Sequence, residues 1–231
     1  MRVDVWSDVN CPWCYITKRT FEQALERSGR TDVEVVLHPF QIDGEQPEHA
    51  TPLLEWLAGK YGADRARFMD EQVTAAGPRH GIAFRNAAGF NANTLNAHRL
   101  LGHAHRVHGR PVQSRLEELI FAAMFTEHED ISDVGVLADR AERSGMDREA
   151  AEAYLRSTDG YEDVRAEVRA ARAAGITTVP RFAFDHGQVV EGAQEDPAVF
   201  LAALAGPPAV RDEPDVRHEP DPHPLPEETL R

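Results

Sequence analysis

Cysteine is nearly missing from this 231-residue chain, which holds two, Cys11 and Cys14. A structural disulfide framework and a four-cysteine zinc cage are thereby excluded, so any sulfur chemistry takes place between these two residues. Cations are scarce as well: 25 Lys and Arg stand against 39 Asp and Glu, a formal net charge of −14. That balance argues against nucleic acid and anionic membrane surfaces as partners. No apolar run reaches the roughly 18 residues of a membrane-spanning helix. Strand-type residues begin at Arg2, and the cysteines arrive where a leader's cleavage site would fall. With the initiating Met1, this predicts no signal peptide and a cytoplasmic protein, in a compartment that keeps thiols reduced.

What is present is concentrated around Cys11-Pro12-Trp13-Cys14. A two-residue spacer lets one thiolate attack a partner and the second displace it, closing a small disulfide ring. The flanks predict strand, loop and helix. Arg2 to Trp6 forms a short apolar strand and Ser7 to Asn10 a loop. Ile16, Phe21, Ala24 and Leu25 then recur at helical spacing before a stop at Ser28-Gly29. Pro12 suits the first helical position, where its missing N–H would have no partner in any case. Cys11 then becomes the N-cap, beside exposed amides and the positive end of the helix dipole. Such positions lower a thiol from about 8.5 to roughly 3.5–7.5. Cys14, one turn in, is expected to stay protonated and act as the resolving thiol. In a cytosolic βαβ setting this spacing reads as a thioredoxin-like redox motif.

A second segment lies far along the chain. Gly175 ends a periodic run at Val164, Val168 and Ala171, and Ile176 to Pro180 leads into a strand at Phe182-Ala183-Phe184. Asp185-His186-Gly187 is a tight turn and Gln188 to Glu191 the antiparallel partner. An earlier strand, Val33 to Leu37, is expected to lie parallel to the first through the crossover helix. Its carboxyl end, with His38, then falls on the edge that carries Cys11, as does Asp8. His38 could stabilise a thiolate there or simply hydrogen-bond at the surface.

Together these segments resemble the DsbA-like thioredoxin-fold oxidoreductases, and within them the FrnE-type branch. The likeness spans roughly residues 1–205. It rests on Ser7-Asp8, Cys11 to Arg19, Pro39-Phe40, Asn93 to Arg99, Thr178-Val179-Pro180 and Glu191 to Gln194. Thr17 departs from it, since glycine is expected there. The resemblance implies an α/β thioredoxin fold (β-α-β … β-β-α) with a large all-helical insertion between the second and third core strands. It also implies a nucleophilic Cys11, a resolving Cys14, and a cis Val179–Pro180 bond across the dithiol; Pro12, Trp13, Val179 and, from its expected place on the sheet edge, His38 are the supporting residues. A cis bond turns the chain sharply and leaves the preceding backbone groups free for an extended substrate.

The expected organisation is a thioredoxin-fold domain from 1–50 and 175–206, a helical insertion at 51–174, and an extended, acidic, proline-rich tail at 207–231. Within the insertion a helix is predicted to start at Thr51-Pro52, a glycine-rich loop to run from Gly77 to Asn93, and Ser132 to cap the helix carrying Val134, Leu137 and Ala141. The last helix is predicted between Asp196-Pro197 and Gly206.

Three functions remain open on the sequence. The first is a thiol–disulfide oxidoreductase, a reductase or isomerase, acting on protein or small-molecule disulfides, with no cofactor beyond its dithiol and glutathione as a candidate co-substrate. The second is a glutathione-dependent isomerase resembling 2-hydroxychromene-2-carboxylate isomerase, although a second cysteine at dithiol spacing counts against single-nucleophile chemistry. The third is a non-catalytic metal-binding protein using the cysteines with histidine. Yet His98, His103 and His105 are irregular for one helix face, and His218 and His223 fall in the tail.

Overall fold

The structure, a computed structural model, describes residues 1–43 and 50–206. The segment 207–231, expected as an extended tail with His218 and His223, lies outside the described residues. The central sheet has the order β2-β1-β5-β6, with β1 at Arg2–Ser7, β2 at Glu34–Pro39, β5 at Arg181–Phe184 and β6 at Val189–Glu191. β1 and β2 are parallel, with Val5 opposite Leu37 and Trp6 opposite His38. β5 runs antiparallel to β1, and β6 antiparallel to β5. Parallel neighbours need a crossover, and helix α1, Pro12–Ser28, supplies it, stopping at Gly29 in the left-handed region (φ 66°).

Strand alternation sorts the side chains onto two faces. Val3, Val5, Phe182 and Phe184 pack with Phe21 and Ala24 of α1 and with Phe200 and Leu204 of α9, Pro197–Ala205. The other face carries Trp6, which packs with Phe40 and with Ala171 of α8, Tyr161–Ala173. α9 starts as its sequence predicts: the Asp196 side chain accepts from Ala198 N, and Pro197 opens the helix.

Between β2 and β5 lies the insertion, with α2 (Leu53–Tyr61), α3 (Ala63–Ala76), α4 (Leu95–His108), α5 (Arg110–Ala122), α6 (Val134–Ser144), α7 (Arg148–Arg156) and α8. Leu100, Leu116, Ile120, Phe121 and Leu137 are buried at its centre. The same cluster includes Val9, Cys11, Cys14, Tyr15 and Ile16. Helix α1 therefore belongs to two cores, its first turn packed on the insertion and its later turns on the sheet.

Local details of the insertion differ from expectation. Thr51-Pro52 is a short strand, β3, paired with β4 at Phe90–Asn91, and the helix begins at Leu53. A residue before proline is pushed to extended geometry, and Thr51 uses that geometry to pair with Asn91. The cap of α6 is Asp133, whose carboxylate accepts from Val136 N at 2.9 Å. Ser132 instead donates to Asp130. The stripe running through Ala123 and Met124 leaves α5 and widens into a π-helical turn, Ala123–Glu127.

Candidate active site

Cys11 is the N-cap of α1, in extended geometry (φ −104°, ψ 110°), with Pro12 at the first helical position. Its amide donates to Asp8 O at 3.0 Å, and its carbonyl accepts from Cys14 N at 3.0 Å. Both cysteines are free thiols and buried, at 6% and 1% exposure. Cys14 neighbours Cys11, one turn further into the helix. Burial pushes Cys14 well above the ordinary thiol range, and the contact with Cys11 adds to the rise. As the N-cap, Cys11 stands at the positive end of the helix dipole.

The loop ahead of Cys11 is held by Asp8, which is 1% exposed. Its carboxylate accepts from Asn10 N at 3.3 Å and from Ile42 N at 2.8 Å, and it meets His98 Nε2 at 3.3 Å. A side chain of the β1–α1 loop is thus tied to α4 and to the segment after β2. This also accounts for part of the Asn93–Arg99 signature. Asn93 Oδ1 accepts from Leu95 N, His98 reaches Asp8, and buried Arg99 donates to carbonyls of Leu155, Ser157 and Asp159 at the end of α7.

The Val179–Pro180 peptide bond is cis. Pro180 lines a cavity of about 270 Å³ together with Ser7, Cys14, Lys18 and Glu117. Glu117, on α5, is 3% exposed, and its nearest ion-pair partner is Arg110 at 3.8 Å. Burial raises its carboxyl pKa. Lys18 is nearly as buried and bonds Glu22 at 2.8 Å and Glu118 at 3.1 Å. Burial works to lower its pKa, but the surrounding carboxylates of Glu117, Glu22 and Glu118 outweigh it and raise the group. This charged pocket beneath Cys14 went unseen in the sequence. Its only local signals are Lys18, placed one turn past Cys14, and the Glu117-Glu118 pair within an otherwise apolar stripe.

A second cavity, about 410 Å³, opens on the opposite side of the dithiol turn and is lined by Cys11, Pro12 and Trp13 together with α2 and α3. Its polar edge is pinned where Asn10 Nδ2 donates to Asn91 Oδ1 at 2.7 Å. Sequence reasoning assigned the α2 and α3 stripes to core. In the fold, part of them forms this wall.

His38 stands apart from the dithiol. Its ring is 2.7 Å from Asp4, 3.6 Å from Glu167 of α8, and stacked on Trp6 at 4.8 Å. The reason is register. Trp6 and His38 are opposite one another and share the α8 face, whereas Val5, Ser7 and Leu37 line the Cys14 cavity on the other. Thr17, the departure from the expected glycine, is fully buried, and its hydroxyl accepts from Gln194 N at 3.0 Å. His103 stacks on Tyr154. Among the described residues no group of three or more His, Cys, Asp or Glu could hold a metal ion, and no helix is long and apolar enough to cross a membrane.

A β-α-β … β-β-α sheet, with paired cysteines opening its first helix and a cis-proline entering its third core strand, defines a thioredoxin fold carrying a helical insertion. The chain belongs to the DSBA-like thioredoxin domain family, which matches residues 2–205. It is similar to a probable DsbA oxidoreductase of Streptomyces coelicolor, SCO1869, with 33% identity, TM-score 0.80, and 89% of this chain and 88% of that chain covered. The Bacillus subtilis (strain 168) protein YwbO is 26% identical over 220 residues, 89% of this chain and 96% of its own. The cytosolic disulfide reductase DsbM of Pseudomonas aeruginosa, solved with GSH, shares the fold at 18% identity and TM-score 0.61, over 89% of this chain and 98% of that one.

Proposed function

We propose that this protein is a dithiol–disulfide oxidoreductase of the FrnE-type branch, with Cys11 as nucleophile and Cys14 as resolving thiol. The observation that carries this reading is the pair of free thiols at the start of α1, Cys11 at the N-cap and Cys14 buried one turn further in. A helix N-terminus is where a nucleophilic thiol is placed in such chemistry, whereas burial disfavours the charged form of Cys14 and suits it to the resolving step. The Cys11 thiolate attacks a substrate disulfide, forming a mixed disulfide and releasing one thiolate. Cys14 then loses its proton and attacks the Cys11 sulfur, closing the Cys11–Cys14 bond and releasing the second thiolate. Two electrons pass from protein to substrate, and an external low-molecular-weight thiol, for which glutathione is the candidate, returns them.

Pro180 and Val179 form the substrate edge in this reading, Pro12 and Trp13 shape the turn, and the cytoplasm is the working compartment. His38 is left out of the chemistry, because its partners are Asp4, Glu167 and Trp6. The glutathione-dependent isomerase is the weaker reading, because its single-nucleophile chemistry has no use for a second free thiol at dithiol spacing.

Mass spectrometry of mixed disulfides tests the assignment. Cys14→Ser protein should accumulate a mixed disulfide at Cys11, and Cys11→Ser protein should form none and lose reductase activity. Equal alkylation rates for the two thiols near neutral pH, or turnover surviving in Cys11→Ser, overturns it.

A further inference from the structure

The 410 Å³ cavity beside Cys11 lies within the roughly 300–1,000 Å³ range of small-molecule sites. Leu53, Trp56, Leu57, Met69 and Val73 of α2 and α3 face it, with Trp13 on the dithiol side. Its lining also holds three of the six large hydrophobic side chains that are exposed among the described residues, Ile42 (42%), Tyr61 (38%) and Phe68 (59%). Exposed apolar side chains gathered in one place mark a binding surface more often than scattered ones do.

The polar part of the lining is as informative. It consists of the amides of Asn10, Gln72, Asn86 and Asn91 and the carboxylate of Asp70, which accepts from Asn86 Nδ2 at 2.8 Å. Among the described residues no arginine, lysine or histidine lines the cavity. The nearby Lys60 lies over the Trp56 ring and is paired with Asp43 at 2.9 Å. A carboxylate-bearing ligand such as a glutathionyl group would be buried beside Asp70 with no cation to compensate it. A polypeptide would bring a continuous run of backbone amides and carbonyls, more than the few side-chain amides of this wall can pair. An uncharged aromatic group needs neither. It stacks against Trp13 and Trp56 and leaves its attached sulfur at the wall formed by Cys11.

We infer that this cavity seats an uncharged aromatic group carried by a low-molecular-weight disulfide, which is the substrate class of the Cys11 site. The inference rests on the dithiol reading above and names what that dithiol reduces. Cys11 attacks the sulfur bearing the aromatic group, and the other half leaves as a thiolate. Cys14 then displaces the aromatic thiolate, which takes up a proton. The protein supplies both electrons in this single turnover.

Three probes test the inference on the reduced full-length chain: benzyl 2-hydroxyethyl disulfide, bis(2-hydroxyethyl) disulfide and oxidised glutathione. Each rate is divided by that probe's rate with free dithiothreitol, which cancels intrinsic reactivity. The benzyl probe should react at least about tenfold faster on this scale than either other probe, and Trp56→Ala or Phe68→Ala should shrink that ratio severalfold. In Cys11→Ser/Cys14→Ser protein the unreactive thioether benzyl 2-hydroxyethyl sulfide should still quench tryptophan fluorescence saturably. Equal scaled rates, or no saturable quenching, overturn the substrate class while the dithiol reading stands. Saturable quenching with no Cys11-dependent reduction of any probe overturns the dithiol reading instead, and with it the assignment of the cavity's occupant as a substrate.

Discussion

Thr17 shows one side chain joining distant parts of the chain beside the dithiol. It is buried one turn beyond Cys14, and its hydroxyl satisfies the amide of Gln194, which follows β6. A glycine there would need another acceptor for that amide. Thr17→Val keeps the volume and removes the acceptor of a part-buried N–H, at a cost of about 0.5–1.5 kcal/mol. Chemical denaturation should show that loss, whereas Thr17→Ser, which keeps the hydroxyl, should recover most of it. Equal stability of the valine variant and the parent would mean that Gln194 N has another partner. Asp8 works on the same principle, with two backbone amides and His98 converging on one carboxylate. Such convergence holds Cys11 at the N-cap before any substrate arrives.

At the scale of elements, the sheet and α8 are joined by His38. Burial works to lower its pKa, but the carboxylates of Glu167 and Asp4 outweigh this and raise it above the ordinary histidine value. Asp4 in turn is held below the ordinary carboxylate range, first by its bond to Arg2 and also by His38. The two signs differ. A raised histidine contributes stability that is complete below its unfolded pKa of about 6.5 and is lost as pH rises through the folded value. A depressed carboxylate contributes above about 3.9 and loses that contribution as pH falls through its folded value. The cluster should therefore stabilise the protein most between those limits, around pH 4–6.5. His38→Gln should cost up to about 1 kcal/mol in that window and progressively less at higher pH, read from denaturation midpoints measured across pH. A cost independent of pH would assign His38 to packing on Trp6 alone. Because the cluster is on the α8 face, the variant should leave the thiol reactivity of Cys11 unaltered.

Across the whole molecule, charge is the dominant feature. With a net charge of −14, the folded state repels itself, and that repulsion is screened by salt. The melting temperature should rise by a few degrees as ionic strength increases from about 0.01 to 0.15 M. A fall over that range would mean that attractive surface pairs, such as Arg79–Glu195 and Arg30–Asp32, outweigh the repulsion. The two cores meet along α1, so the dithiol turn is clamped between sheet and insertion, and neither presents it alone. That arrangement divides the surroundings of the cysteines: Cys14 faces a small pocket holding Lys18 and Glu117, and Cys11 faces a larger apolar one.

The dithiol, the N-cap at Cys11, the proline at the first helical position, the stop at Gly29 and the Asp196-Pro197 start of α9 were legible in the residues, because each depends on neighbours within a turn or two. The parallel pairing of the first two strands was legible for a related reason, since a short helix between two apolar strands leaves a parallel pair as the economical arrangement. The distant Thr178-Val179-Pro180 was read through its company with the dithiol, and the fold brings Pro180 to a cavity shared with Cys14. Contacts that depend on register or on packing across the chain were not legible. Which sheet face His38 takes follows from its pairing with Trp6, and a shift of one residue would have reversed it. The cap at Asp133 in place of Ser132 turned on a one-residue difference in where the helix begins. The Thr17–Gln194 bond, Glu117 beneath Cys14 and the apolar chamber beside Cys11 arise only when segments about a hundred residues apart or more, or helices with identical-looking stripes, are packed together. Periodicity marks which side chains leave water, but only tertiary packing decides whether the space between them is filled or left open for a ligand.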